Sequence, residues 1–189
     1  GLTEDGGPGL AVPASVAEPA GRRRLVDAAY EEWGRLDLLV NNAGITSQGR
    51  SDLLDATEES WDVVLDTNLK GPFFLSKDAA NRMVAQINTG EIAGAQIINI
   101  SSISAFAAST NRADYCIAKA GMTMMTSLFA DRLADEKINV YEIAPGVIIT
   151  DMTDSVKEVY DKRIADGLTP IRRWGTPEDV ALAVSAIAS

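Results

Sequence analysis

Three short apolar runs, each leading into a segment of helical character, constrain the fold of this chain more than any other feature. The runs at 36–40 and 97–100 are almost continuously apolar, and the third, at 138–144, alternates. Near-continuous apolar runs are typical of strands in a parallel sheet, because helices cover both faces of such a sheet. The alternation of strand and helix predicts an α/β fold with a doubly wound parallel sheet.

Capping residues mark where several helices begin. Pro19 opens a predicted helix that runs to about Trp33. Thr57 caps a long helical segment running to about residue 86, with a bend expected near Pro72. Thr176 precedes a proline and two acids, which is a strong helix start. We also predict a helix over 113–134 and a weak strand over 10–14.

Composition and charge narrow the class of protein. We interpret the 189 residues as one domain of 20.1 kDa. The formal net charge of -10 argues against nucleic acid or an anionic membrane as a partner, and no stretch is apolar and long enough to span a bilayer. Cys116 is the single cysteine, so an intramolecular disulfide is excluded and a reducing, cytoplasmic compartment is predicted. We predict no metal site.

Tyr115 and Lys119 are the first candidates for catalysis. They stand four residues apart in the predicted helix 113–134, so their side chains share one face. A lysine cation near a phenol favours the phenolate and lowers the pKa of the tyrosine. Such a pair can act as general acid or base in a chain that has no histidine. The spacing alone is weak evidence, because ordinary surface pairs on helices show it too.

Ser102 strengthens this interpretation by its position. It follows the end of the apolar run 97–100 by two residues and precedes Tyr115 by thirteen. The carboxyl ends of strands are where open α/β sheets bind ligands. A serine there can hydrogen-bond a substrate carbonyl, although capping a loop is the commoner role of serine.

Five segments, in order, resemble the short-chain dehydrogenase/reductase family, in the single-domain branch that includes 3-oxoacyl-(acyl-carrier-protein) reductases. The segments are Leu-Leu-Val-Asn-Asn-Ala-Gly at 38–44, Asn-Leu-Lys-Gly at 68–71, Ser102 with Tyr115 and Lys119, Pro-Gly-Val-Ile-Ile-Thr at 145–150, and Arg-Trp-Gly-Thr-Pro-Glu-Asp-Val-Ala at 173–181. They extend over about residues 10 to 189. The resemblance implies a Rossmann-like sheet.

The resemblance also implies an activity, the reversible transfer of a hydride between a nicotinamide cofactor and a small carbonyl or alcohol substrate. Tyr115 would protonate the developing alkoxide, and Lys119 would lower the pKa of Tyr115 and hold the ribose hydroxyls. Ser102 would orient the carbonyl. Asn68 would support a water that relays protons to Lys119, although a structural amide is its ordinary role.

The cofactor implied by the resemblance is NAD or NADP, and the sequence does not discriminate between them. Besides Tyr115 and Lys119, two segments of the chain would bind it. The residues are Asn42, Ala43 and Gly44 on the adenosine side, and Pro145, Gly146, Ile148 and Thr150 along the nicotinamide. Ser15 departs from the family, which often has aspartate there against the adenine.

The glycine-rich dinucleotide fingerprint is the element of the family that we do not find. The segment Thr-Glu-Asp-Gly-Gly-Pro-Gly at 3–9 does not replace it, because no strand delivers it, its acids repel phosphate, and Pro8 lacks an N–H. Aligned on the family, the chain lacks the first two strands and the last one. We therefore expect a longer functional polypeptide, a disordered cofactor-binding part, or an artificial junction within the first nine residues.

Substrate and assembly are less constrained. Residues 150–169 are the expected substrate lid, in which Met152, Val156, Val159, Tyr160 and Ile164 could line an apolar pocket. A 3-oxoacyl thioester or a related small ketone is our first expectation, and sugar alcohols and cyclic ketones fit equally well. An isomerase or epimerase on the same scaffold and a non-catalytic nucleotide-binding member are the alternatives. The resemblance further implies a homotetramer or homodimer, formed through the helices over 58–86 and 113–134.

Overall fold

The sheet is parallel and has three strands in the part of the chain that the structure describes. The computed structural model describes residues 9–154 and 156–189. The strands β1 (Leu38–Asn41), β2 (Ala95–Ile100) and β3 (Ile138–Ile143) pair in the order β1-β2-β3. All three apolar runs thus form strands, and the predicted α/β class is confirmed. The glycine-rich segment 3–9 lies outside the described residues, apart from Gly9.

Helices connect the strands. They are α1 (Pro19–Trp33), α2 (Glu58–Leu65), α3 (Gly71–Thr89), α4 (Ala113–Leu133), α5 (Asp151–Asp154), α6 (Lys157–Ala165) and α7 (Pro177–Ala188). Thr57 caps α2 by accepting a hydrogen bond from the Ser60 N–H at 3.2 Å. Thr176 and Asp179 form a capping box at the start of α7. These caps and the bounds of α1 agree with the sequence prediction.

The long helical segment is interrupted one turn before the expected bend. Residues Asp66–Lys70 form a π-helical turn between α2 and α3, closed by the Gly71 N–H donating to the Asp66 carbonyl. Pro72 has no N–H to donate to the carbonyl four residues back, at Asn68, so an α-helical ladder cannot continue there. A Cβ on Gly71 would lie 2.8 Å from the Val16 carbonyl oxygen. Glycine at this position therefore also lets the segment before α1 pack closely against the start of α3.

The weak strand predicted over 10–14 is wrong. In the structure these residues are not part of the sheet and lead into the turn before α1. A strand persists only where its backbone groups find partners on a neighbouring strand. Among the described residues, β1 pairs with β2 alone, and no strand lies along its other edge. Residues 10–14 therefore have no adjacent strand with which to pair.

A buried polar ladder crosses the sheet next to an apolar core. The core is built by α3, β2, the end of α4 and the start of β3; its buried members include Ala79, Met83, Ile97, Leu133 and Ile138. In the ladder, Asn41 on β1 donates to the side-chain oxygens of Asn99 on β2 and Ser76 on α3, each at 2.8 Å. Asn99 donates in turn to the Thr126 hydroxyl on α4 at 2.9 Å. One chain of hydrogen bonds therefore joins both helices through the sheet.

Asn99→Ala is expected to destabilise the protein far more than Asn139→Ala. Asn99 is completely buried, and its loss leaves the Asn41 amide and the Thr126 hydroxyl each short of a partner. An unsatisfied buried group costs roughly 1–3 kcal/mol. Asn139 is exposed on β3 and serves as the matched control. Urea unfolding of both variants checks this, and equal losses in the free energy of unfolding would contradict it.

Candidate active site

Three of the four predicted catalytic residues, Ser102, Tyr115 and Lys119, meet at the carboxyl ends of the strands. A cavity of about 600 Å³ opens there. Most of the residues predicted from the sequence line it: Asn42, Gly44, Ser102, Tyr115, Lys119, Pro145, Gly146, Ile148 and Thr150. The position agrees with the general location of ligand sites in open α/β sheets.

Ser102 is held where β2 ends. Its backbone surroundings continue the β2–β3 pairing, with the Ser101 N–H donating to the Ile143 carbonyl at 2.8 Å and the Ile103 N–H to the Pro145 carbonyl at 2.9 Å. The Ser102 hydroxyl caps the turn Ile103–Ala105 by accepting from the Ser104 N–H at 3.1 Å. A hydroxyl that accepts in this way keeps its own proton for another acceptor. Ser102 thus combines the capping role with a free donor at the cavity.

Tyr115 and Lys119 face the cavity from the first two turns of α4. Tyr115 is buried except for 8% of its surface, and no described residue is hydrogen-bonded to its hydroxyl. The Lys119 Nζ lies 5.8 Å from the centre of the Tyr115 ring. The same Nζ donates to the Ile100 carbonyl at 2.8 Å, which ties α4 to the end of β2.

The charge state of Lys119 is set mainly by burial. Burial lowers the pKa of Lys119 from 10.5 to about 8, and the nearby Glu142 carboxylate opposes the shift. At neutral pH the ammonium form still predominates, so a cation stands beside the phenol. The proton of Lys119 is nevertheless easier to lose than that of an exposed lysine.

Asn68 lies behind the cavity and does not line it. It is completely buried in the π-helical turn, where its Oδ1 accepts from the Ile45 N–H at 2.8 Å and its Nδ2 donates to the Ile45 carbonyl at 2.7 Å. This two-bond clamp fixes the loop that follows β1 and includes Gly44. The contacts support the structural role of Asn68, and its proton-relay role stays a prediction.

The two segments predicted to bind the cofactor, 42–44 and 145–150, have different surroundings. Ala43 borders an adjoining apolar groove between α1 and β1 and not the main cavity. Ile148 pairs with Gly175, and its carbonyl accepts from the Thr153 hydroxyl at 3.0 Å. The carbonyl of Ile148 is therefore engaged within the protein, which leaves its N–H as the backbone group for a ligand.

Only part of the predicted lid faces the cavity. Met152 and Tyr160 line it, whereas Ile164 is buried elsewhere and Val159 is 52% exposed. Val156 is half-buried and is absent from the described lining. Tyr160 packs edge-on against Trp174 with ring centres 5.9 Å apart, so α6 is fastened to the loop before α7.

Sequence reasoning missed a polar cluster beneath Tyr115. The buried Asp114 accepts hydrogen bonds from the Ser47 hydroxyl, from the Ser60 hydroxyl at 2.6 Å and from the Tyr115 N–H at 2.7 Å. The cluster fixes the first turn of α4 against the loop after β1 and against α2. The sequence signal that could have indicated this cluster is the aspartate directly before Tyr115. Two arginines of the cavity wall, Arg50 and Arg112, were also missed.

Neither a metal site nor a membrane-spanning helix is found in the described ranges 9–154 and 156–189. No group of three or more His, Cys, Asp or Glu side chains is placed to hold a metal ion there. Every helix in those ranges is too short or too polar to cross a membrane.

Known proteins of one family match almost the whole chain. A family model described as enoyl-(acyl carrier protein) reductase matches residues 2–189. The 2-dehydro-3-deoxy-D-gluconate 5-dehydrogenase of Escherichia coli is 36% identical over 182 residues, which are 95% of this chain and 69% of that enzyme.

Solved structures agree in fold and in sequence. The 3-oxoacyl-[acyl-carrier protein] reductase of Brucella melitensis, in complex with NAD, has a TM-score of 0.89 and 38% identity over 94% of this chain and 69% of its own. A short-chain type dehydrogenase/reductase of Mycobacterium marinum has a TM-score of 0.88 and 30% identity over 97% and 70%. The chain belongs to the short-chain dehydrogenase/reductase family of NAD(P)-dependent oxidoreductases.

Proposed function

We propose that the protein transfers a hydride between NAD(P) and a carbonyl or alcohol substrate, with Ser102, Tyr115 and Lys119 as its catalytic residues. The observation that carries this proposal is the convergence of two hydroxyls and a buried ammonium on one cavity at the strand ends. The relatives support an oxidoreductase over an isomerase or epimerase, because they are named dehydrogenases or reductases.

The nicotinamide half of the cofactor fits the residues present. A Cβ on Gly44 would lie 3.3 Å from the Asn68 Oδ1 and 3.7 Å from the Lys119 Nζ, so glycine keeps open the space beside the lysine. Lys119 donates one N–H to Ile100 at 2.8 Å and makes a long contact of 4.0 Å to the Met122 sulfur, which leaves donor capacity of its ammonium for ribose hydroxyls. Asn42, Pro145, Gly146, Ile148 and Thr150 would complete this half of the binding site. When bound, the cofactor supplies or accepts the hydride.

Tyr115 and Ser102 act on the substrate oxygen. Ser102 keeps a free O–H, which would donate to the carbonyl oxygen and stabilise the negative charge that develops on it. The Tyr115 hydroxyl would deliver its proton to that oxygen as reduction proceeds, and would take it back in the oxidative direction. The Lys119 cation stabilises the resulting phenolate.

Substrate identity is proposed only as a class. The E. coli relative is named for 2-dehydro-3-deoxy-D-gluconate, and the Brucella relative for a 3-oxoacyl-[acyl-carrier protein]. We keep a small ketone or a 3-oxoacyl thioester as candidates, and the half-apolar lid with Met152 and Tyr160 is compatible with either. The single Cys116 supports a reducing, cytoplasmic location.

We further propose a homotetramer or homodimer that buries the outer face of α4. On this face Ile117, Met124 and Leu128 are 46%, 60% and 57% exposed, and they follow a helical spacing. Phe73 and Phe74 of α3 are also exposed, and Phe73 packs edge-on against Phe129 of α4. Exposed apolar side chains grouped along one helix face are typical of protein interfaces.

Tyr115→Phe is expected to lower kcat by about 10²–10⁴, because the proton donor is lost. The dissociation constants of NADH and NADPH should stay within about threefold of wild type, since the ring remains. Tyr141→Phe is the matched control, because Tyr141 lies on β3 away from the cavity. Stopped assays with ethyl acetoacetate check turnover, and fluorescence titration checks binding. Equal activity of wild type and Tyr115→Phe would sink the proposal, as would an inert wild type that binds cofactor.

Stability should depend on pH through Lys119. The folded-state pKa is about 8 and the unfolded value is 10.5, so the unfolded chain binds more protons between these values. Stability therefore rises with pH from about 8 to 10.5, and the cost of burying the charge is complete below pH 8. Relative to Lys119→Met, wild type should gain up to about 3 kcal/mol across this range. Urea unfolding at pH 7.5, 9 and 10.5 measures this gain, and parallel curves would contradict it.

Met124→Glu is expected to shift the protein from an oligomer to a smaller species at micromolar concentration. A charge at the centre of an apolar interface is costly to bury, whereas the exposed monomer tolerates it. Val159→Glu places the same charge on the exposed, apolar Val159 of α6 and should leave the oligomer intact. Light scattering with wild type as reference checks this. A wild-type monomer would contradict the proposed assembly.

A further inference from the structure

The catalytic cavity carries a charge opposite to that of the whole chain. Three cations, Arg50, Arg112 and Lys119, line it, and no carboxylate is among its described lining residues. The chain as a whole has a formal net charge of -10. The cavity thus concentrates three cations in a strongly acidic protein.

Arg112 projects beside Tyr115 with most of its donors uncommitted. Its guanidinium carbon lies 5.3 Å from the centre of the Tyr115 ring. Its protein contacts are long, 3.4 Å to the Ser104 hydroxyl and 3.5 Å to the Ser109 hydroxyl. These distances are at the limit of hydrogen bonding, and a guanidinium has five N–H donors.

Arg50 is half-buried and held in an unusual backbone conformation. Its φ of +48° lies in the left-handed region that non-glycine residues seldom adopt, and it follows Gly49 at φ +76°. The one described contact of its guanidinium is 3.4 Å long, to the Met152 carbonyl. Arg50 and Arg112 line the same cavity, and burial together with the positive charge of Arg112 lowers the pKa of Arg50. Strained backbone of this kind is frequent at ligand sites.

Asp114, the carboxylate closest to Arg112 along α4, does not neutralise Arg50 and Arg112. Asp114 is buried, and both of its oxygens accept hydrogen bonds from Ser47, Ser60 and the Tyr115 N–H. Neither arginine forms an ion pair with a described residue. Half-buried charges without partners are costly, and an anionic ligand would offset the cost.

We propose that Arg50 and Arg112 bind an oxyanion, a carboxylate or a phosphate, carried by the substrate whose carbonyl meets Ser102 and Tyr115. The planar fork of arginine matches both groups with two parallel hydrogen bonds. The proposal rests on the proposed function for the position of the carbonyl. It goes further by making a negatively charged ketone or alcohol the preferred substrate.

Paired ligands that differ in charge test the proposal. The carboxylate pair is acetoacetate and its neutral ethyl ester, and the phosphate pair is dihydroxyacetone phosphate and dihydroxyacetone. Dissociation constants are measured by ligand-observed NMR on the full-length protein, with and without bound NADP. For the preferred oxyanion, wild type should bind the charged member at least tenfold more tightly than the neutral one. The pair that shows this preference identifies the oxyanion.

Variants then locate the binding group. Arg112→Gln and Arg50→Gln should each reduce the charged-to-neutral preference at least fivefold, and Arg112→Lys should retain more of it than Arg112→Gln. Arg172→Gln, at an exposed arginine outside the cavity, should keep the wild-type preference. Equal affinity for both members of both pairs in wild type would overturn the proposal, and this comparison does not depend on any variant folding.

Three other outcomes distinguish the oxyanion site from a cofactor role of the arginines and from the proposed reaction. If the arginine variants weaken NADP binding and leave the preference unchanged, the arginines serve the cofactor and the inference is wrong. Because binding is measured without turnover, a charge preference in a protein that transfers no hydride would support the oxyanion site while contradicting the proposed reaction. Hydride transfer at equal kcat/KM for charged and neutral ligands would do the reverse.

Discussion

The geometry of the site depends on the hydrogen bond from the Lys119 ammonium to the Ile100 carbonyl, at 2.8 Å. Ile100 ends β2 and Ser102 follows it by two residues, while Tyr115 lies one turn before Lys119 on α4. This hydrogen bond thus sets the distance between the loop that contains Ser102 and helix α4, which contains Tyr115. Lys119 is 4% exposed, so the carbonyl and the nearby Glu142 offset part of the cost of its burial.

Two further polar contacts hold the same helix at other points along its length. Asp114 fastens the first turn of α4 to the loop after β1 and to α2, and Thr126 ends the ladder that begins at Asn41 and Asn99. Hydrogen bonds are directional, whereas apolar packing permits small shifts in helix position. The apolar core accordingly supplies the bulk of the stabilisation, and these buried polar contacts define where α4 sits on the sheet.

The sequence predicted what local patterns determine. Apolar runs located the three strands, and caps such as Thr57 and Thr176 located helix starts, because both signals lie within a few residues of the element. The strand over 10–14 was wrong because pairing depends on a partner distant in sequence. The clamp of Asn68 on Ile45 and the placing of Arg50 and Arg112 in one cavity could not be predicted, since each joins segments that are far apart in sequence.

Because the protein is acidic overall and its cavity is cationic, electrostatics act differently on the approach of an anion and on its binding in the cavity. At physiological ionic strength charges are screened over about 8 Å, so the net charge of -10 repels an approaching anion only weakly. Inside the cavity the dielectric is lower and screening is weaker, so Arg50, Arg112 and Lys119 act at close range. On the proposed oxyanion site, selection by charge therefore occurs after entry, where Tyr115 and Ser102 also act. Added salt should accordingly alter encounter more than it alters the residence of a bound anion.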